Sequence, residues 1–120
     1  SKFSLTQKIM CMEMLVKLGF VLENDLMWGL SNILGIDWIF VKPEQIDDEL
    51  VRSIPKEKLL EYMVIPIVKE RDTIILAMAQ PSDVKAKEEI EKITKCNVEV
   101  FLALPGSIQE TIEKIFRESS

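Results

Sequence analysis

Two apolar helical runs, each closed by a glycine and then followed by a short extended run, occupy the first third of this chain: LVKLGFVLENDLMWGLSNILGIDWIFV, from Leu15 to Val41. Glycine lacks a Cβ and enters the left-handed conformation cheaply, so Gly19 and Gly35 suit helix stops. Residues 5–18 predict a helix in which Thr6, Glu13 and Lys17 form one narrow polar stripe. Ile9, Met10, Cys11, Met12, Met14, Leu15, Val16 and Leu18 fill the rest, so burial on more than one side is expected, with Cys11 as a small core residue. A second helix is expected over 23–34, with Leu26, Met27, Leu30, Ile33 and Leu34 on one face and Trp28 opposite. Matched apolar stripes on two short helices predict a hairpin.

The remainder has a different rhythm. Trp38 to Val41 reads as a short extended run with Trp38 in the core, and Lys42-Pro43-Glu44 marks a boundary because proline pushes the preceding residue toward extended geometry. Two short helices are expected between Ile46 and Leu60, broken at Pro55, which fits a helix start. Met63–Val68 and Thr73–Ala79 are β-rich runs separated by Lys69-Glu70-Arg71-Asp72, which predicts a hairpin with Pro66 on an edge strand. A helix opening at Pro81-Ser82-Asp83, with Ala86, Ile90 and Ile93 inward, crosses over to a parallel third strand, Val98–Leu104. Ser107 and Glu110 offer a capping box to a closing helix whose stripe is Ile108, Ile112, Ile115 and Phe116. The fold class is α+β: an N-terminal helical hairpin (1–42) packed on a small ββαβα sandwich (43–120) with a three-stranded sheet, together one compact domain.

Several function classes are argued against by composition. A net charge of −5, with basic residues never clustered beyond pairs, disfavours nucleic acid, whose binding depends on Lys and Arg neutralising phosphates. The absence of histidine removes the usual general base and the commonest metal ligand. The four glycines form neither of the common phosphate-cradling loops. The acidic clusters Asp47-Asp48-Glu49 and Glu88-Glu89-Glu91 sit beside lysines and read as solvated helix faces. No catalytic, cofactor-binding or metal-binding residue is therefore expected. No apolar run approaches the roughly 18 residues that span a bilayer, and no signal-peptide pattern is present, so a soluble cytoplasmic chain without direct membrane insertion is expected. The missing initiator Met and the stop after an amphipathic helix predict an excised piece of something longer.

The residues Leu15, Gly19, Phe20, Val21, Leu26, Leu30, Leu34, Gly35 and Ile36 stand in the order of a known domain. The order continues through Ile46-Asp47, Leu50, Ser53-Ile54-Pro55, Val64-Ile65-Pro66-Ile67 and Leu76-Ala77-Met78-Ala79-Gln80-Pro81-Ser82-Asp83. Over about residues 9–117 the chain resembles the N-terminal domain of type II secretion and type IV pilus assembly ATPases. In pilus-type members that domain receives cyclic di-GMP through two copies of an Arg-Leu-Gly-x-x-Leu-x-x-x-Gly element with a glutamine farther on. Here Met10-Cys11-Met12 replace Arg-Leu-Gly and Ile33 replaces the glutamine, removing the bidentate charged fork and the close backbone approach. The first copy would lie upstream of residue 1, and cyclic di-GMP binding is not expected. In secretion-type members the domain instead docks the ATPase on the cytoplasmic part of an inner-membrane platform protein. The resemblance implies the same here, with Met10, Met14 and Trp28 as partner-binding candidates. The methionines could instead fill the gap between hairpin and sandwich, and Trp28 could cover the loop at Trp38. A cyclic di-GMP sensor with a degenerate motif and a stand-alone regulatory adaptor are the rival functions.

Overall fold

A computed structural model describes residues 5–19 and 23–118, and within these the side chains of residues 11–19 and 25–118. The helical elements are α1 (Leu5–Lys17), α2 (Glu23–Leu34), a 3-10 turn (Pro43–Gln45), α3 (Asp48–Arg52), α4 (Lys56–Tyr62), α5 (Val84–Thr94) and α6 (Pro105–Glu118). The strands are β1 (Val64–Glu70), β2 (Thr73–Met78) and β3 (Asn97–Leu102), in sheet order β1-β2-β3. The expected α+β architecture, helical hairpin plus ββαβα sandwich with three strands, is the one observed.

Local chemistry accounts for most boundaries. Gly19 and Gly35 sit at φ +85° and +67°, where a side chain would be strained, and Gly35 N–H closes the last turn of α2 on Ser31 O at 2.8 Å. Asp47 caps α3, its carboxylate accepting from Glu49 N–H at 3.1 Å, and Asp83 caps α5, accepting from Ala86 N–H at 3.1 Å. Pro55 stands immediately before α4, as expected of a residue that cannot donate inside a helix. β1 and β2 pair antiparallel from Val64↔Met78 to Glu70↔Thr73, with Arg71 in the turn at φ +56°. The register slips between Pro66 and Val68, so the proline lies at an irregularity of an edge strand, where its missing N–H costs no regular ladder bond. β3 then joins β2 in parallel after the α5 crossover.

The main core lies between this sheet and its helices. Val51, Ile54 and Leu59 from α3, α4 and their link meet Val64, Ile65, Leu76 and Met78 of the sheet, with Ala86, Ile90, Ile108, Ile112 and Ile115 from α5 and α6. A smaller cluster seats α2: Met27 and Leu30 pack with Leu102 and Leu104, flanked by Leu26, Leu34, Trp38 and Phe40. Trp38 and Phe40 meet edge to face at 4.6 Å. The expected extended run pairs only at its start. Leu102 N–H donates to Asp37 O at 2.8 Å and Ile39 N–H donates to Leu102 O at 2.9 Å, making an isolated parallel bridge between Trp38 and Leu102. The hairpin is thus fastened at the end of β3, where the two clusters meet.

Three expectations are corrected. α6 starts at Pro105, so Ser107 is already inside the helix and Glu110 pairs with Lys17 instead of closing a capping box. Proline takes the first helical position because its fixed φ suits it and no donor is needed there. Ile33 is 81% exposed, because the buried face of α2 is narrower than its apolar stripe and is centred on Met27 and Leu30. Cys11 is exposed, for the reason given by the orientation of α1 below.

Candidate protein-docking surface

The orientation of α1 is the reverse of what its narrow polar stripe suggests. Glu13 is only 9% exposed, and its Oε1 accepts a hydrogen bond from Gly106 N–H at the start of α6 at 2.9 Å. One turn on, Lys17 Nζ lies 3.2 Å from Glu110 Oε1 on the same helix. Of the described polar residues of α1, Glu13 faces the body and Lys17 reaches across to α6 from the surface, while Met12, Met14, Leu15 and Leu18 are exposed. A carboxylate is stabilised at the positive end of a helix, where it accepts a charge-assisted hydrogen bond from a backbone N–H.

Of the three partner-binding candidates, Met14 is 57% exposed and Trp28 is 64% exposed. Met10 lies in α1, but its side chain is outside the described ones. Trp28 does not bury itself over the Trp38 loop, where the ring neighbour of Trp38 is Phe40. Sequence reasoning missed Leu15, Leu18 and Ile33, which are exposed apolar residues of the same hairpin. The signal was present in the excess of apolar residues on α1, which exceeds what one buried face can use. Large apolar side chains exposed in such number on one pair of helices are a feature of interaction surfaces.

The described residues offer little else to a ligand. No group of three or more His, Cys, Asp or Glu among them could hold a metal ion. Cys96 Sγ donates to Thr94 O at 3.4 Å, and both cysteines are free thiols. The acidic residues serve structure: Asp47 as a cap and Asp48 in an ion pair with Arg52 at 3.5 Å. Open clefts lie between Val41, Pro43 and α6 (about 220 Å³) and among Pro43, Asp48, Lys114 and Glu118 (about 280 Å³). Both fall short of the roughly 300–1,000 Å³ of small-molecule pockets. No described helix is long and apolar enough to cross a membrane.

Comparison with known proteins gives the geometry a context. The model of the MshEN domain matches residues 34–120. The type IV pilus assembly ATPase PilB of Myxococcus xanthus (strain DK1622) is 31% identical over 104 residues, 87% of this chain but 18% of the ATPase. The chain therefore spans less than a fifth of that relative's length. Among solved structures, MshE with cdg (cyclic di-GMP) superposes with a TM-score of 0.64 at 22% identity, over 86% of this chain and 75% of that one. The N-terminal domain of XpsE superposes with a TM-score of 0.59 at 19% identity, over 93% of this chain and 86% of that one. At those identities the two structures speak for the fold alone, which is the fold reached above from the residues. The motif order read along the chain, the observed α+β architecture and the match over residues 34–120 agree, and the chain belongs to the MshEN domain family, the N-terminal domain of type II secretion and type IV pilus assembly ATPases.

Proposed function

We propose that this chain is a non-catalytic docking domain, which couples an ATPase domain outside residues 1–120 to the cytoplasmic region of an inner-membrane secretion platform protein. The observation that carries the reading is the outward apolar face of the hairpin, with Met14 on α1 and Trp28 on α2 exposed while polar Glu13 is turned inward. Methionines adapt to partner helices, and an exposed tryptophan ring contributes heavily to binding when a partner buries it. Met10, Met14 and Trp28 are the proposed partner-binding residues. The hairpin, 1–42, is the docking lobe in this reading, and 43–120 is the scaffold that carries it in the cytoplasm. The test is capture of the platform protein's cytoplasmic region by wild-type chain, Trp28→Ala and Met14→Asp. Loss of capture with an unchanged circular dichroism spectrum and melting temperature is expected, and undiminished capture by both variants overturns the reading.

The fold shared with MshE, solved with cdg, favours a second reading: a cyclic di-GMP site on the same hairpin. Against it, Ile33 presents a fully apolar side chain where the motif calls for an amide. A nuclear magnetic resonance titration with cyclic di-GMP decides: saturable shifts around residues 9–36 establish the sensor, and none below millimolar ligand, roughly −4 kcal/mol, removes it.

A further inference from the structure

α6 begins without a cap of its own. The first turn of a helix leaves N–H groups without partners inside the helix, and Leu104, the residue before Pro105, carries no side-chain oxygen that could accept from them. The acceptor comes from 93 residues away: Glu13 Oε1 takes the Gly106 N–H at 2.9 Å. The site is shaped for it. A Cβ on Gly106 would stand 2.7 Å from Glu13 Oε2 and 3.2 Å from both Cδ and Oε1, so a larger residue there makes the carboxylate, the far end of a flexible side chain, shift from this position. Lys17 and Glu110 add an exposed ion pair at 3.2 Å.

Around that clasp the surface is open to solvent. Small clefts remain on both sides of it, about 70 Å³ beside Glu13, Val16, Leu104 and Ser107, and about 140 Å³ beside Met14 and Gly106. Met12, Met14, Leu15 and Leu18 are exposed, so among the described residues these four large apolar side chains do little to hold α1 there. Polar attachments exchange with water at small net cost, whereas buried apolar attachments do not.

We infer that α1 is a latch: Glu13, by capping α6 in trans, holds α1 in a clasped position that sets which face of the hairpin is presented, and the clasp opens without unfolding the sandwich. The inference deepens the docking reading, on which its biological use rests, because a partner that engages the outward face of α1 also pulls on this clasp.

The test reads the latch without any partner. Amide hydrogen exchange is followed by nuclear magnetic resonance in the wild-type chain, Glu13→Gln, Glu13→Ala and Gly106→Ala. Alanine is the better helix former, so Gly106→Ala strengthens α6 by itself and can loosen α1 only by displacing the carboxylate. In Glu13→Ala and Gly106→Ala, protection of α1 amides from Cys11 to Lys17 is expected to fall by about tenfold or more, about 1.4 kcal/mol. Glu13→Gln, which keeps the acceptor and loses the charge, is expected between these and the wild type, with protection in β2 and α5 unchanged throughout. Wild-type protection of α1 in both Glu13→Ala and Gly106→Ala overturns the latch, as does an α1 already unprotected in the wild type. Loss of protection in β2 and α5 in step with α1 also overturns it. If Met14→Asp and Trp28→Ala both leave partner capture intact while these exchange results hold, the docking reading fails and the latch stands.

Discussion

α1 and α6 are helices of 13 and 14 residues that touch each other, and they use their two faces in opposite ways. In α6, Ile108, Ile112 and Ile115 are buried in the main core while Glu110, Glu113, Lys114 and Arg117 are exposed. In α1, Glu13 is buried and Met14, Leu15 and Leu18 are exposed. Periodicity separates a helix into faces, but it does not say which face turns inward. That depends on what the neighbouring element offers: the sheet offers α6 an apolar layer, and the start of α6 offers α1 an unpaired N–H with a positive helix end.

The largest expected effect lies on the α6 side. Ile112 is fully buried, and Ile112→Ala should cost about 2–5 kcal/mol in chemical denaturation, from lost transfer energy plus a cavity. An effect below about 1 kcal/mol would place Ile112 in a site that collapses freely. Met27→Ala, in the smaller cluster, should cost about 2 kcal/mol or more, with the loss of exchange protection greatest in α2. Equal loss across β2 would merge the two clusters into one cooperative unit. Asp83→Ala removes the cap of α5 and should cost about 1 kcal/mol by the same assay, with Asp83→Asn retaining most of it. On the α1 side, Leu18→Ala should stay within about 0.5 kcal/mol of wild type, because the side chain is exposed. Lys17→Ala should be smallest, about 0–0.5 kcal/mol and vanishing in high salt, since both partners of its ion pair are solvated. A Leu18→Ala cost approaching that of Ile112→Ala would erase the contrast between the helices.

Much of the sandwich was legible because its signals are local. Asp83 reaches an N–H three residues on, Arg71 turns a hairpin between adjacent strands, and Ala86 and Ile90 lie one turn apart on α5. The glycine stops of the hairpin were legible for the same reason. The expected capping box at Ser107 misled because Pro105 competes for the helix start two residues earlier, and a proline satisfies that position by its φ alone. Of the candidate docking residues, Met14 and Trp28 were reachable from an excess of apolar positions, whereas Ile33 was assigned to a buried face that proved narrower than its stripe.

By itself the sequence determined the elements, the edge position of Pro66, the antiparallel and parallel pairings, and the absence of histidine and phosphate-loop chemistry, since each depends on residue type or on spacings within one element and its neighbour. Only the tertiary structure decided that Glu13 points inward and the methionine-rich face outward. The partner of Glu13 is a backbone N–H of residue 106, a group that every residue except proline possesses. No composition or periodicity distinguishes that group until the fold brings it to an uncapped helix end.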